Sequence, residues 1–375
     1  MDPREQPRDE QEPRGDERHD RQALAHVREG LGRGGLSSGP DTGTPLVEEV
    51  APGITRIALP LPGIPDGVNV HLVRGEGPTT LVDAGMPLPG AMEALEAGLH
   101  AAGASLDALE LLLITHHHLD HTGLAAEIHG RTGVPIAAIS PVADAIADPL
   151  TLLLREVAWG ERHIAHHGAP DGLLDMARGG ESLVRGLPSA PTARLLVDGD
   201  VVRAGDHDLT VRVRPGHSPS DTLFLELDPL VPGRPVAFVG DHVFRAAPLT
   251  PVLGSMLGTE DRPAAGYLAA LAETAAIPGL LALPGHGPAL HDVAGLHADR
   301  LGALDRRTGR VRGALTAGPR GTWDLGLEVW RGVPSLRHGL TRLGALLASL
   351  ELLEDAGAVV RGDDGDRATW AATAR

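Results

Sequence analysis

The sequence predicts an α/β fold in which β-sheets are covered by helices. The chain has 375 residues, enough for two or three domains. Short β-like runs separated by Gly and Pro clusters begin at about Leu46, and amphipathic helical segments lie between groups of these runs. Strands in succession with helices between the groups are typical of layered α/β folds.

The elements follow in order after a charged, Pro- and Gly-rich stretch. This stretch, residues 1–45, is poor in apolar side chains and is predicted to be a disordered tail. The predicted strands are Ile54–Leu59, Val68–Arg74, Thr79–Asp83, Leu109–Ile114, Leu209–Arg214, Thr222–Leu227, Pro235–Val239 and Leu280–Leu283. Helices are predicted over Ala91–Ala102 and Leu124–Thr132. A helical stretch without a strand run, about residues 141–188, is predicted to be an insertion in the domain formed by residues 46–296.

The pattern changes again near the C-terminus. Three amphipathic helices are predicted over Asp292–Leu315, Thr322–Trp330 and Ser335–Ala356. Two short strands, Ala358–Arg361 and Arg367–Ala371, flank a Gly- and Asp-rich stretch that suits a five-residue hairpin loop. Three helices closed by a β-ribbon are the outline of a winged helix, so residues 297–375 are predicted to form a small winged-helix-like domain.

Composition excludes several chemistries. The chain has no Cys and no Lys, so disulfides, Cys nucleophiles, thiolate metal sites and Schiff-base lysines are ruled out. It has 19 His, the residue type that binds metals and moves protons. A net charge of -17 opposes binding to nucleic acid and to anionic membranes. Without a signal-peptide pattern or a long apolar run, a cytoplasmic location without membrane contact is expected.

The most informative string is LLLITHHHLDHTG, residues 111–123. A predicted buried strand ends at Ile114, and the next turn presents His116, His118, Asp120 and His121 in an H-x-H-x-D-H pattern. Four polar groups at a strand end have no packing role, and their desolvation must be compensated. Two imidazoles at i and i+2 can face one cation, while the carboxylate and the next imidazole face a second. The string therefore predicts a metal site.

This string resembles the signature loop of the metallo-β-lactamase-fold hydrolases. The resemblance implies a four-layer αββα sandwich with a binuclear metal site at one edge, and it spans about residues 46–288. VNVHLVRG and LVDAG, which contain Asn69 and Asp83, are similar to the early strands of the family. The family's remaining ligands, a His, an Asp and a His on loops after strands, match His217 in PGHSPSDT, Asp241 in VGDH and His286 in ALPGHGP.

The resemblance also implies how the ligands divide. One metal ion would be held by His116, His118 and His217, a second by Asp120, His121 and His286, and Asp241 would bridge both. Asp83 either orients the metal loop or is a simple turn residue. His117 occupies a variable position of the motif and is not expected to take part. His163 and His167, spaced i,i+4, are expected on a solvated helical face.

Two bound cations would lower the pKa of a bridging water and supply hydroxide as the nucleophile, with Asp120 orienting it and moving its proton. Because all the ligands are N or O donors, zinc is favoured, with iron and manganese as alternatives. The complete ligand set resembles that of glyoxalase II-like hydrolases, which favours hydrolysis of a thioester or related acyl ester. The apolar insertion either caps the site and accepts an acyl group or only packs against the sandwich.

Two other functions stay open at this point. The C-terminal segment resembles the winged helix of a family branch that includes single-strand-specific endoribonucleases, which implies phosphodiester hydrolysis of RNA. Acidic side chains in this segment and an aromatic content of 2% count against nucleic-acid binding and favour packing or homodimerisation as its role. A non-catalytic, metal-binding regulator is the third hypothesis, and the presence of all seven ligands counts against it.

Overall fold

Two β-sheets form the centre of the molecule. The computed structural model describes residues 45–62, 64–227, 234–245, 263–334 and 336–373, so the predicted tail lies outside these residues except for its last position. The first sheet has seven strands in chain order: β1 (Leu46–Ala51), β2 (Ile54–Leu61), β3 (Ile64–Val73), β4 (Thr80–Val82), β5 (Leu111–Leu113), β6 (Ile136–Ile139) and β7 (Arg194–Leu196). Strands β1 to β4 pair antiparallel, and β4 to β7 pair parallel.

The second sheet has five strands in the order β12-β11-β10-β9-β8. Its strands are β8 (Val201–Ala204), β9 (His207–Val213), β10 (Thr222–Glu226), β11 (Val236–Gly240) and β12 (Leu281–Pro284). Ile57 and Leu112 from the first sheet share one buried cluster with Val211, Phe224 and Phe238 from the second. The two sheets therefore pack face to face as a sandwich.

Helices cover both outer faces of this sandwich. The described α-helices are α1 (Ala91–Ala101), α2 (Leu119–Thr122), α3 (Ala125–Thr132), α4 (Ser140–Ala147), α5 (Pro149–His166), α6 (Asp175–Gly179), α7 (Glu181–Val184), α8 (Pro263–Ala275), α9 (Val293–Ala314), α10 (Thr322–Trp330) and α11 (Leu336–Asp355). Helix α1 buries Leu95 and Leu99 in the same cluster as the first sheet. Helices α8 and α9 bury Tyr267 and Leu304 with the outer side of the second sheet. The predicted αββα arrangement is confirmed.

The stretch predicted to be a helical insertion lies between β6 and β7 and contains α4 to α7. Its main helix is α5, which begins at Pro149 because proline fixes a helical φ and needs no hydrogen bond there. The Asp148 side chain caps this helix by accepting a hydrogen bond from Thr151 N at 3.0 Å. The described part of this stretch forms helices and turns, without a strand.

The C-terminal segment contains α9, α10 and α11 and a three-stranded sheet. Its strands are β13 (Arg320–Gly321), β14 (Val359–Asp364) and β15 (Arg367–Ala372), in the order β13-β15-β14. The predicted five-residue hairpin loop is wrong, because residues 362–364 pair within β14 and only Gly365 and Asp366 form the turn. Gly365 has a φ of 61°, which glycine adopts without strain.

The boundary predicted between residues 296 and 297 falls inside α9. This helix places Val293 and Leu304 against the second sheet and Val311 in the core of the C-terminal segment. The segment therefore starts on a helix that the sandwich also uses. Among the described helices, none combines the length and apolarity needed to cross a membrane.

Candidate metal centre

The metal loop follows the carboxyl end of β5. Thr115 and His116 come directly after this buried strand, and His118 immediately precedes the one-turn helix α2. Asp120 and His121 lie on α2, so the predicted H-x-H-x-D-H string becomes a strand end, a turn and a short helix. This change of backbone direction within six residues lets all four side chains face one point.

The second sheet contributes the other three predicted ligands. His217 lies between β9 and β10, Asp241 directly follows β11, and His286 follows β12. These strands are neighbours in the sheet. The structure brings all seven predicted side chains into one cluster at an edge shared by the two sheets.

Three imidazoles form the first group in this cluster. His116 Nε2 lies 3.1 Å from His118 Nδ1, and His118 Nδ1 lies 3.0 Å from His217 Nε2. We call these residues the three-histidine group. Nitrogen atoms this close to one another suit a single cation that accepts a lone pair from each ring.

The second group, here called the mixed group, consists of Asp120, His121 and His286. His286 Nε2 lies 3.2 Å from Asp120 Oδ2, and His121 Nε2 lies 3.7 Å from the same oxygen. Asp241 stands between the two groups. Its Oδ2 lies 3.4 Å from His286 Nε2 and 3.5 Å from His217 Nε2, and its Oδ1 lies 3.5 Å from His121 Nε2.

Hydrogen bonds from outside the cluster fix the orientation of His121 and His116. Asp83 Oδ2 accepts a hydrogen bond from His121 Nδ1 at 2.9 Å, which leaves the Nε2 lone pair facing the cluster. Both carboxylate oxygens of Asp83 also accept from Thr115 Oγ1, at 3.0 and 2.9 Å. Thr115 Oγ1 can then accept from His116 Nδ1 at 3.1 Å, so the His116 Nε2 lone pair faces the cluster as well. Asp83 therefore orients two predicted ligands.

The loop that carries His286 is held by the first sheet. His286 Nδ1 donates to Gly67 O at 2.6 Å, which directs its Nε2 into the cluster. Asn69 is fully buried, and its amide nitrogen donates to the backbone oxygens of Pro284 and Gly287, both at 2.8 Å. Arg56 donates to the same Gly287 oxygen at 2.7 Å. The early strands thus position a ligand that lies more than 200 residues away in the chain.

The electrostatics of the cluster favour ionised carboxylates at Asp120 and Asp241 and neutral imidazoles at His116 and His118. Burial, followed by the charges of neighbouring imidazoles, lowers the pKa of His116 and of His118 well below the ordinary value. Burial favours the neutral acid in Asp120 and Asp241, but His121 and the His286 hydrogen bond lower both pKa values, that of Asp241 to about 2. These are the protonation states that bind a cation.

The mixed group shows the opposite shift. Burial opposes the protonation of His121 and His286, but the surrounding carboxylates raise their pKa values to about 9 and about 11. The negative charge of the carboxylates thus stabilises positive charge in the mixed group. A bound divalent cation would supply this positive charge in place of the imidazole protons.

Two further observations show that a metal ion fits this cluster. Among the described residues, the buried atoms His121 Nε2 and Asp241 Oδ1 have no hydrogen-bond partner, although both face the cluster. A Cβ on Gly285 would lie 2.4 Å from His121 Cε1 and 2.5 Å from Asp241 Oδ1. Only glycine allows the backbone to pass this close to the cluster.

Two other histidines lie near the cluster or at the end of α5, and the structure departs from the prediction for one of them, His167. His117 is buried and bonded on both ring nitrogens, to Ser220 Oγ and Glu156 Oε1. The solvated helical face predicted for His163 and His167 is wrong for His167. That residue is buried, and its Nδ1 lies 3.0 Å from Thr322 Oγ1 of the C-terminal segment. The spacing of these residues carried no signal for contacts with segments more than 100 residues away.

Comparison with known proteins identifies the family. Residues 63–286 match the family model of the metallo-beta-lactamase superfamily. The match covers more than half of the chain and contains all seven predicted ligands. The chain belongs to the metallo-beta-lactamase superfamily. The resemblance predicted from the H-x-H-x-D-H string is thereby confirmed.

Solved superfamily structures share the fold. A metallo-beta-lactamase family protein from Thermus thermophilus, TTHA1429, is 24% identical with a TM-score of 0.69, and the alignment covers 87% of this chain and all of that chain. A beta-lactamase domain protein from Burkholderia ambifaria is 27% identical with a TM-score of 0.71, over 90% of this chain and 96% of that chain. Residues 1–296 cannot supply these shares alone, so the common fold extends into the C-terminal segment.

A curated relative matches over a shorter stretch. The probable metallo-hydrolase YqjP of Bacillus subtilis (strain 168) is 39% identical over 71 residues, which are 19% of this chain and 22% of the relative. The similarity therefore spans about a fifth of each protein.

Proposed function

We propose that this superfamily member hydrolyses a thioester or related acyl ester with two divalent metal ions. The three-histidine group would hold one ion, the mixed group would hold the other, and Asp241 would contact both. The observation that carries this proposal is the convergence of all seven side chains, whose ligand atoms form overlapping groups within 4.8 Å of one another. The description of the curated relative as a probable metallo-hydrolase supports the same reaction class.

Bound divalent ions supply a water of low pKa as nucleophile and polarise the carbonyl of the substrate. The side chains of the protein supply the proton transfer. Asp120 is the most exposed carboxylate of the cluster, with 24% of its side chain accessible, and its lowered pKa keeps it ionised at neutral pH. It can therefore accept a proton from the attacking water at Oδ1, the oxygen that the mixed group does not use as a ligand. No Ser or Cys nucleophile is required, which agrees with a chain that has no Cys.

The choice of an acyl substrate rests on the helical insertion. Glu156 on α5 contacts His117, the residue between two of the proposed ligands, at 3.1 Å. Leu152 and Trp159 are half-buried and lie one turn before and after Glu156, so they are its neighbours on the helix surface. An apolar surface on the helix whose Glu156 reaches His117 suits an acyl chain better than a phosphodiester backbone.

The C-terminal segment supports the same choice. In a winged helix that reads nucleic acid, the recognition helix presents an exposed face. Here residues 343–351 of α11 are all buried except for Leu347, which is half-buried. We propose residues 46–296 as the catalytic domain and residues 297–375 as a domain that packs against it. The donor set of imidazoles and carboxylates favours zinc, with iron and manganese as alternatives.

One panel of substrates tests this function. The protein, loaded in parallel with zinc, manganese or iron, is assayed with acyl thioesters of increasing chain length, acyl lactones and a labelled single-stranded RNA. We expect about two ions per chain by elemental analysis and thioester hydrolysis that a chelator abolishes. Absence of bound metal after all three reconstitutions would refute the metal centre. RNA cleavage that is lost in Asp120→Asn, without thioester turnover, would refute the acyl substrate.

A separate experiment tests whether the apolar surface formed by Leu152 and Trp159 binds the acyl chain. Trp159→Ala removes apolar surface beside Glu156 and should raise the KM for long acyl chains more than for acetyl thioesters. Leu301→Ala, at an exposed position on α9, is the matched control. An equal effect of Trp159→Ala on the KM for all chain lengths would contradict the proposal that this surface binds the acyl chain.

A further inference from the structure

His117 lies between two proposed ligands, but its side chain does not face the metal centre. Its ring packs 4.7 Å from that of His118, and both of its nitrogen atoms have partners outside the cluster. Nδ1 lies 2.7 Å from Ser220 Oγ, and Nε2 lies 3.1 Å from Glu156 Oε1. The ring is buried, with 2% of the side chain exposed.

These hydrogen bonds suit a His117 ring that carries its proton on Nε2 and accepts a hydrogen bond at Nδ1. The backbone N–H of His117 donates to Ser220 Oγ at 3.0 Å, so this hydroxyl can direct its own proton to His117 Nδ1. His117 Nε2 then carries the ring proton and donates it to the Glu156 carboxylate. Every polar atom of the His117 side chain is satisfied, and the ring has one orientation.

Ser220 connects His117 to the loop that carries His217. Ser220 N donates to Ser218 Oγ at 3.2 Å, and Ser218 N donates to both oxygens of the buried Asp221 carboxylate at 3.0 Å. Ser218 directly follows His217. The His117–Ser220 bond therefore joins the two loops that supply the three-histidine group, although these loops are about 100 residues apart in the chain.

Glu156 connects His117 to the helical insertion. Glu156 lies on α5, and the C-terminal segment fixes the C-terminal end of this helix. His167 Nδ1 lies 3.0 Å from Thr322 Oγ1, and Trp323 N donates to His167 O at 3.1 Å. His166 Nδ1 donates to Asp366 O at 2.8 Å. A helix anchored at this end can hold Glu156 in place near its middle.

We propose that His117 is a positioning residue that sets the spacing between His116, His118 and His217, and that Glu156 fixes its orientation. The inference rests on the proposed metal centre and assigns a role to a residue that touches neither metal nor substrate. It also makes the insertion part of the support of that centre. Loss of a direct hydrogen-bond partner of a ligand lowers metal affinity by about 10- to 100-fold. His117 acts through the backbone it shares with His116 and His118, so we expect an effect at the lower end of this range.

The test uses Co²⁺ as the probe metal, with affinities from chelator competition and geometry from the visible absorption spectrum. His117→Gln keeps a donor toward Glu156 and loses the group that binds Ser220. We expect about a 10-fold or greater loss of affinity at the three-histidine group and a changed spectrum, with the mixed group unaffected. His117→Asn keeps an acceptor at the Nδ1 position, so its loss of affinity should be smaller.

A second pair of variants tests Glu156 at a half-exposed position where folding is not at risk. Glu156→Ala removes the acceptor and should weaken the same group, whereas Glu156→Gln keeps an amide oxygen there and should restore most of the affinity. Arg155→Ala, at the exposed neighbouring position on α5, is the control and should match the wild type. A merely structural role for Glu156 would lower thermal stability without changing the Co²⁺ spectrum.

The outcomes separate the two proposals. If the wild type binds two ions and His117→Gln binds both with wild-type affinity and spectrum, the inference is overturned and the metal centre stands. Equal losses at both groups would also overturn it, because they indicate general loosening of the fold. If the wild type binds no metal, the proposed function fails and this inference fails with it.

Discussion

The substitution Asp83→Asn tests how far a single carboxylate controls the metal centre. Asp83 Oδ1 accepts from Thr115 N at 2.8 Å, and Oδ2 accepts from His121 Nδ1 at 2.9 Å. An amide has one acceptor oxygen, so either orientation of the substituted side chain sets its NH₂ group against an N–H donor. If the NH₂ group faces His121, the imidazole must move its proton to Nε2, the atom that faces the cluster.

The size of the effect follows from the bond that is lost. Hydrogen bonds to charged groups contribute about 1.5–3 kcal/mol. Loss of the partner that orients a metal-binding imidazole weakens metal binding by about 10- to 100-fold, or about 1.4–2.7 kcal/mol. We expect this loss at the mixed group, which contains His121, and a smaller loss at the three-histidine group, where Asp83 reaches His116 only through Thr115 Oγ1. The backbone of Asp83, with a φ of 65°, is one that asparagine also adopts, so the fold should be retained.

The assay is the metal-to-chain ratio after dialysis against a series of competing chelators, with thermal unfolding measured on the same samples. Asp144→Asn, at an exposed position on α4, is the matched control and should retain both ions. Two ions with wild-type affinity in Asp83→Asn would refute the reasoning, because they would show that the orientation of His121 does not depend on this carboxylate.

Three further predictions concern catalysis, packing and pH. Asp120→Asn cannot accept a proton and should lower turnover per bound metal by about 10²- to 10⁴-fold, measured under saturating substrate; unchanged turnover would exclude this role. Gly285→Ala should lower the free energy of unfolding by about 1–3 kcal/mol and weaken metal binding, because the added methyl group would overlap the cluster. Gly266→Ala is the control: a methyl group there would lie in open space on α8 and should change neither property. Burial, with His163 nearby, lowers the pKa of His167 to about 3, so the folded state leaves it neutral while the unfolded chain takes up a proton below about pH 6.5. Its stabilising contribution is present above that pH and should fall by about 1.4 kcal/mol per pH unit as pH decreases from 6 to 4. Other buried histidines, such as His71 and His242, add slopes of the same sign, so the total slope should be smaller by this amount in His167→Asn. Equal slopes for the wild type and His167→Asn in urea unfolding would contradict the reasoning.

The ligand cluster could be predicted from sequence because the fold places its ligands where strands end. His217, Asp241 and His286 each follow a segment that forms a strand of the second sheet. Strands β11 and β12 are parallel, and β9 runs in the same direction on the other side of the antiparallel β10, so the carboxyl ends of all three strands lie at one edge. Linear order and loop context are therefore sufficient to predict these ligands. The residue types also indicate a metal site, because burying several imidazoles and carboxylates together costs desolvation free energy. A cation bound between them offsets that cost.

The support around the cluster could not be predicted in the same way. His117 was assigned no role because motif spacing describes the ligands and not their partners, and Ser220 lies 103 positions away. His167 was placed on a solvated face because i,i+4 spacing describes a helix surface without showing what packs against it. The hairpin loop was predicted too long because Gly and Asp signal a turn without fixing the register at which cross-strand pairing stops.

The C-terminal segment shows why a winged-helix outline does not determine a function. Two sets of contacts join helix α11 to elements outside its own segment: Leu343 packs with Ile164 and Leu173 of the insertion, and Glu351 accepts hydrogen bonds from Ala264 N at 2.9 and 3.2 Å at the start of α8. A carboxylate at a helix N-terminus stabilises that helix. The helix that would read a nucleic acid thus supports the insertion and α8. Under the role proposed for His117 and Glu156, the segment would support the metal centre by fixing α5, and such a role requires buried contacts and not an exposed basic surface.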